Sequence, residues 1–161
     1  MKTLCALMLG LLVSASTFAE SDHDAGENRG KPLLPAKSNP VWKQECGACH
    51  LAYPPGLLAA ESWRKVMSRL DQHFGTDAAL TPRENRTITD FLVQNASSRW
   101  RAPGAPLRIS ETAWFKRKHD GHEISPAVWK RPSIKSPANC AACHPGADQG
   151  DFEEHRVRIP R

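Results

Sequence analysis

The chain has 161 residues, of which 40% are hydrophobic and 24% charged, and its formal net charge at pH 7 is +5. This length allows one domain, or two small lobes that share a core. One tyrosine and 13 prolines argue against a large β-sheet, and the sequence has no glycine-rich phosphate loop or nucleic-acid-binding motif.

The first residues, "MKTLCALMLGLLVSASTFAE", place Lys2 before an apolar run that ends in small residues. This pattern predicts a secretory signal peptide over residues 1–19. The apolar run is shorter than the roughly 20 residues that a membrane-spanning helix needs, so we expect an exported mature chain without a membrane span. Residues 20–39 are polar, with glycine and proline, and predict a flexible leader before a folded domain over 40–161.

The sequence between the leader and residue 98 predicts three helices. Ser38 or Asn39 as N-cap and Pro40 as first helical residue predict a short helix that leads to Cys46. Apolar residues at helical spacing, followed by a glycine, predict a helix over 60–74. "TPRE" at 81–84 is a capping box with proline at the first helical position and predicts the next helix.

The second half of the chain predicts shorter elements. "PLRI" at 106–109 indicates an extended piece, and "SETAWFKRKH" at 110–119 predicts a helix capped by Ser110 or Thr112. Ser136 and Pro137 repeat the opening seen before Cys46, so a helical turn is also expected before Cys140. The predicted fold class is all-α, with short helices and loops.

The sequences "CGACH" at 46–50 and "CAACH" at 140–144 are two Cys-x-x-Cys-His runs. Such pairs serve redox dithiols, zinc sites or covalent haem. A redox dithiol needs a βαβ pattern that is missing here, and zinc ribbons bring two such pairs within roughly 15–20 residues. Two thiols with a following histidine are what covalent haem attachment requires. The runs therefore predict two haem c groups, with disulfides or zinc as alternatives; the attachment residues and proximal ligands are Cys46, Cys49 and His50, and Cys140, Cys143 and His144.

The distal ligand of each iron has several candidates. Met67 lies among apolar residues at helical spacing, where methionine is more often a core residue than a ligand, so His73 is the preferred distal ligand of haem 1. For haem 2 the preferred ligand is His119, at the end of the last predicted helix, with His122 as the alternative. Two more histidines are interpreted as solvated, His23 in the leader and His155 among carboxylates.

Several segments together resemble the DHC family of bacterial dihaem cytochromes c, from about residue 40 to the C-terminus. The resemblance implies a small c-type cytochrome packed around two covalent haems, with a haem 1 lobe at about 40–98 and a haem 2 lobe at about 99–161. It also implies bis-histidine haems, matching His73 and His119. The segments that carry it are "CGACHLAYPPGLL" (46–58), "HFGTDAAL" (73–80), "WFKRKH" (114–119), "SPANCAACH" (136–144) and "RIP" (158–160).

The function expected from these features is electron transfer in the periplasm, without enzymatic activity. As redox partners the resemblance implies a small monohaem cytochrome that binds oxygen and a membrane cytochrome of the b type. The alternatives are a dihaem peroxidase or small-ligand reductase, which needs a displaceable axial ligand, and a structural haem subunit of a membrane complex. Basic side chains outnumber acidic ones in residues 99–135, which predicts either partners for the haem propionates or a face that attracts an acidic partner.

Overall fold

The computed structural model describes residues 32–98, 104 and 106–161. The predicted signal peptide, the first part of the leader with His23, and Arg99 and Arg101 lie outside the described residues. Within the described ranges no helix is long and apolar enough to cross a membrane. The α-helices are α1 (Pro40–Gly47), α2 (Ala60–Met67), α3 (Pro82–Gln94) and α4 (Ala113–Lys118), and short 3₁₀ helices connect them.

Helices α1 and α3 begin where the capping signals place them. The Asn39 side chain accepts a 3.0 Å hydrogen bond from the Trp42 backbone N–H, and Pro40 opens α1. In α3 the Thr81 hydroxyl accepts from the Glu84 N–H while the Glu84 carboxylate accepts from the Thr81 N–H, which completes the capping box. Both helix starts are therefore confirmed.

Helix α2 is shorter than the pattern predicts. It ends at Met67, and a separate 3₁₀ helix follows over Leu70–Gln72. The chain then turns back, with the Ala78 N–H donating to the Leu70 carbonyl at 2.8 Å and Phe74 and Gly75 at φ angles of 50° and 98°. The prediction of one helix over 60–74 is wrong because this turn competes with the helical continuation. Trp63, Val66, Met67 and Leu70 still lie in the core, whereas Phe74 is exposed.

The second half of the chain contains shorter helices than predicted. Thr112 caps α4 by accepting from the Phe115 N–H at 3.1 Å, and a 3₁₀ helix over Ile109–Glu111 replaces both the first turn of the predicted helix and the end of the predicted extended piece. The Ser136 hydroxyl accepts from the Ala138 N–H within a turn. The second motif itself forms a 3₁₀ helix, Cys140–Ala142. A turn is therefore present before Cys140, closed by the Asn139 N–H donating to the Ser136 carbonyl at 3.0 Å, but it does not extend into an α-helix like α1.

The hydrophobic core is formed largely by α1, α2 and α3. Its most buried members are Ile88 and Leu92 of α3, at 0% and 1% exposure. The Trp42 ring packs against Phe91 with ring centroids 5.1 Å apart. A smaller set of buried residues lies near the second Cys-x-x-Cys-His run, and it comprises Phe115, Val128, Ile134 and Ala147.

Residues 33–34 of the predicted leader have defined contacts. The Leu33 carbonyl accepts a 2.9 Å hydrogen bond from the Gly56 N–H. A Cβ at Gly56 would lie 2.6 Å from the Leu33 Cα, and one at Gly150 would lie 2.9 Å from the Leu34 Cβ. Two glycines, one near each motif, therefore make room for this segment, and the end of the leader belongs to the folded part of the chain.

Candidate haem sites

The histidine of each motif faces a second histidine. The His50 and His73 rings have centroids 6.1 Å apart and planes inclined by 23°. The His144 and His119 rings are also 6.1 Å apart, with planes inclined by 69°. The structure therefore brings together the histidine pairs preferred from the sequence.

This spacing fits an iron between the two rings of each pair. A histidine nitrogen binds a first-row metal ion at about 2 Å, and the ring centre lies about 1 Å further out, so two rings on opposite sides of one iron have centres about 6 Å apart. In the described part of the chain no three Cys, His, Asp or Glu side chains converge on a point that would hold a metal ion. The donor set thus fits two haem irons better than a structural zinc site.

Backbone carbonyls orient one histidine of each pair. The Nδ1 of His50 lies 2.7 Å from the Leu51 carbonyl oxygen, and the Nδ1 of His119 lies 3.0 Å from that of Phe115. A carbonyl accepts only from N–H, so Nδ1 carries the proton and Nε2 keeps the lone pair. Such a partner fixes the tautomer and the ring orientation that a metal ligand needs.

The environment of the histidines favours their neutral form. Burial, followed by nearby His50 and Arg108, lowers the pKa of His73. Burial lowers the pKa of His119 against an opposing effect of the Phe115 carbonyl. The pKa of His144 is also lowered, first by burial and then by His119. Neutral imidazole is the form that binds metal.

The candidate for the first haem site comprises Cys46, Cys49, His50 and His73. The Tyr53 ring stacks on His50 with centroids 4.9 Å apart, and the Phe74 ring meets His73 edge-on at 4.8 Å. The Arg108 guanidinium lies 4.1 Å above the Phe74 ring. The Arg108 charge therefore lies close to this histidine pair, over the face of the Phe74 ring.

The candidate for the second haem site comprises Cys140, Cys143, His144 and His119, all of which line a cavity of about 790 Å³. The Phe115 ring stacks nearly parallel on His119, with centroids 4.0 Å apart and planes inclined by 10°. The size of the cavity falls in the range of cofactor sites, and its lining fits an apolar macrocycle. Further aromatic lining residues are Trp129, 6.0 Å from His119, and Phe152, 5.2 Å from His144.

The four cysteines of the two motifs form no disulfide with one another. Burial, with a smaller effect of Glu45, raises the pKa of Cys46 to about 11, and burial likewise raises that of Cys140 to about 11. Both sulfurs are thus neutral at pH 7. A thioether sulfur is neutral as well, so attachment to a porphyrin changes no charge at these buried positions.

The other candidate ligands lie elsewhere. Met67 is 4% exposed and packs in the hydrophobic core. His122 is exposed, and its backbone N–H donates to the Asp120 carboxylate at 2.8 Å. His155 is also exposed, in the 3₁₀ helix Glu154–Arg156. The geometry therefore favours His73 over Met67 and His119 over His122.

Tyr53 is a residue of the site that no sequence pattern indicates. Its hydroxyl donates a 2.7 Å hydrogen bond to the carbonyl of Ala138, 85 positions away in the sequence. Burial, followed by nearby Cys140, raises the pKa of this phenol to about 12. No spacing pattern signals a contact at that separation. The stacking of Phe115 on His119, by contrast, has a signal in the four-residue spacing of the two positions.

These features define a class of protein. A helical chain with two Cys-x-x-Cys-His runs, each with its histidine opposite a second one, is a c-type cytochrome with two haem sites. Comparison with known families agrees, since the DHC profile, described as dihaem cytochrome c, matches residues 42–152. The chain belongs to this family. It accordingly carries two c-type haems and transfers electrons through them.

Solved structures support the same assignment. The chain is 44% identical to the diheme cytochrome c from Rhodobacter sphaeroides, with a TM-score of 0.66 over 71% of this chain and 97% of that one. It is 40% identical to the diheme cytochrome sb-DHC from Shewanella baltica OS155, with a TM-score of 0.68 over 76% of this chain and 93% of that one. A search of curated proteins gave no match. The predicted family, fold class and cofactors are confirmed.

Proposed function

We propose that this protein is an exported electron carrier in which both irons have two histidine ligands. The observation that supports this most directly is the repeated separation of 6.1 Å between the rings of His50 and His73 and of His144 and His119. A haem held in this way supplies a one-electron couple of the iron. With a histidine on each side of the iron, neither site would leave a position for a substrate.

The protein's own groups position the ligands and set their environment. The Leu51 and Phe115 carbonyls hold the Nδ1 protons of His50 and His119, which directs Nε2 towards the metal. Histidine as second ligand gives a lower reduction potential than methionine. We therefore propose that both haems have low potentials relative to cytochromes with Met/His ligation.

The predicted signal peptide supports function in the periplasm. We propose that the mature chain passes electrons from a membrane cytochrome of the b type to a small monohaem cytochrome that binds oxygen, as the family resemblance implies. The dihaem peroxidase or small-ligand reductase stays the alternative, and it requires that one axial histidine leaves its iron.

Carbon monoxide tests the ligation, because it binds only to a ferrous iron with an open position. We expect the absorption spectrum of the reduced wild type to be unchanged by carbon monoxide. His73→Ala and His119→Ala are each expected to bind about one equivalent, since each opens one iron. His122→Ala is the matched control for His119→Ala and should resemble the wild type.

Three results would contradict the proposal. Carbon monoxide binding by the wild type would favour the small-ligand enzyme. Binding by His122→Ala but not by His119→Ala would assign the second iron to His122. Loss of a sulfur-to-iron charge-transfer band in Met67→Leu would show that Met67, and not His73, is the second ligand of the first iron.

A further inference from the structure

Tyr53 contacts both Cys-x-x-Cys-His regions. It lies three residues after His50 and stacks on that ring at a centroid distance of 4.9 Å and an interplanar angle of 26°. Its hydroxyl donates to the Ala138 carbonyl at 2.7 Å, two residues before Cys140. One side chain thus touches a proposed iron ligand of the first haem site and the backbone beside an attachment cysteine of the second.

The Tyr53 end of this contact has a rigid base. The next two residues, Pro54 and Pro55, are fully buried. The Trp63 indole N–H donates to the Pro55 carbonyl at 2.8 Å, which ties this segment to α2. Since proline also fixes its own backbone, the tyrosine is held at a defined position relative to the core.

The Ala138 end is held by local hydrogen bonds. The Ala138 carbonyl also accepts from the Cys140 N–H at 3.0 Å, and the Ala138 N–H donates to the Ser136 hydroxyl at 3.1 Å. The acceptor of the tyrosine is therefore part of the turn that presents Cys140. A displacement of one haem site relative to the other would have to break the hydrogen bond or shift one of these two supports.

We propose that Tyr53 is a positioning residue that holds the two haem sites in a fixed mutual orientation. The inference rests on the proposed function, because it takes His50 as an iron ligand. Electron transfer between two cofactors depends steeply on their separation and orientation, so a rigid link between the sites benefits a carrier of two electrons. Tyrosine suits this role since it offers a stacking face and a hydroxyl at the end of a stiff side chain.

Circular dichroism of the Soret band tests the proposal with the holoprotein. Two haems close together give a split Soret signal, whose amplitude depends on the distance and angle between them. Tyr53→Phe keeps the ring and removes the hydrogen bond to Ala138, and we expect a smaller or altered split signal. Tyr53→Leu also removes the stacking on His50 and is expected to alter the signal further.

Asn85→Ala is the matched control. Its amide donates a 2.9 Å hydrogen bond to the Met67 carbonyl and so joins α3 to α2, with neither haem motif involved. We expect this variant to lose thermal stability while keeping the wild-type split signal. If Tyr53→Leu fails to retain its haems, Tyr53→Phe remains the decisive variant.

Each outcome has one interpretation. A changed signal in Tyr53→Phe with a normal signal in Asn85→Ala supports the proposal. An unchanged signal in Tyr53→Phe, equal changes in both variants, or a wild type without a split signal overturns it. Carbon monoxide distinguishes failure of this inference from failure of the proposed function. Carbon monoxide binding by the wild type contradicts bis-histidine ligation, whatever the result for the Tyr53 variants.

Discussion

The two histidine pairs differ in the angle between their rings. The planes of His50 and His73 are nearly parallel, at 23°, whereas those of His119 and His144 are nearly perpendicular, at 69°. Parallel imidazoles split the energies of the two iron orbitals that interact with them, and perpendicular ones leave these energies nearly equal. The two irons should therefore be electronically distinct although their ligands are the same.

Electron paramagnetic resonance of the oxidised protein checks this. We expect two low-spin ferric signals, a rhombic one from the first haem site and one with larger g anisotropy from the second. In His119→Ala the highly anisotropic signal should disappear while the rhombic one stays. Two identical rhombic signals would show that the rings of the second pair are parallel in the holoprotein.

The two histidine pairs that the structure brings together could be predicted from the sequence because residue chemistry limited the choice. A methionine among tryptophan, leucine and phenylalanine at helical spacing indicates a core position, and Met67 is buried in the core. His73 itself lies outside the helix that the sequence predicts for it. It lies at the end of the 3₁₀ helix Leu70–Gln72, with the left-handed Phe74 behind it, and not in the last turn of α2.

Helix boundaries could be predicted where a capping side chain decides them. Asn39 and Thr81 each accept a backbone N–H hydrogen bond, and α1 and α3 start directly after them. The end of α2 could not be predicted, because it depends on a hydrogen bond between Ala78 and Leu70 that forms only once the chain has turned back. The local pattern is the same for a continued helix and for this turn.

Thr81→Ala tests the capping box of α3. Loss of this N-cap should lower the free energy of unfolding by about 1 kcal/mol, measured by denaturant titration of the holoprotein at pH 7. Hydrogen bonds from Thr81 lower the pKa of Glu84. The carboxylate's contribution is therefore present above the pKa of Glu84 in the unfolded chain and is lost as pH falls through its folded value, so the difference between variant and wild type should narrow in acid.

Thr87→Ala is the control within the same helix. The Thr87 hydroxyl donates only to the Arg83 carbonyl one turn earlier, and alanine has the higher helix propensity. Its free energy of unfolding should equal or slightly exceed that of the wild type. An equal loss in both variants would show that the capping box contributes nothing specific.

At the scale of the whole molecule, the segment around Leu33 and Leu34 joins parts of the chain that are far apart in sequence. It passes Gly56 near the first motif and Gly150 near the second, and it lines the cavity of the second haem site. Polar composition with glycine and proline predicts a flexible leader, and the composition gives no sign that two leucines at its end find a packing surface. The fold therefore begins earlier than residue 40.

Gly56→Ala tests this packing. The added methyl would lie 2.6 Å from the Leu33 Cα, which is backbone and cannot rotate away. We expect the free energy of unfolding to fall by about 1–3 kcal/mol, as for overpacking in a core, with faster proteolysis near residue 33. Gly47→Ala is the control, since its Cβ would meet only Ala52 at 4.0 Å and the second motif carries Ala141 at the equivalent position. A similar loss of unfolding free energy in Gly47→Ala would show that contact with Leu33 is not the cause.

Charged side chains of both signs lie around the second haem site. Basic side chains occupy the last turn of α4, directly before His119. Acidic side chains from the C-terminal segment line the same cavity, namely Asp151, Glu153 and Glu154. The sequence alone predicts either partners for the haem propionates or a basic face, and it could not predict that carboxylates of the C-terminal segment line the same cavity.

The charges around the second haem site predict how small charged oxidants react with the reduced protein. Lys116 is exposed on α4, three residues from His119, while Lys43 is exposed on α1. Charge reversal at either position changes the net charge equally, so any difference between them reports the local field. At low salt, the anion ferricyanide should react several-fold more slowly with Lys116→Glu than with Lys43→Glu. It should react faster with Glu154→Lys than with the wild type. Both differences are expected because surface fields change encounter rates by about tenfold or more.

Stopped-flow oxidation at increasing ionic strength measures these rates. The differences should shrink as salt shortens the Debye length to about 8 Å at physiological ionic strength. The cationic oxidant tris(phenanthroline)cobalt(III) should show the opposite order of variants, since it is repelled where ferricyanide is attracted. If Lys116→Glu and Lys43→Glu react alike at every ionic strength, net charge alone sets the rate and α4 provides no docking site for an acidic partner.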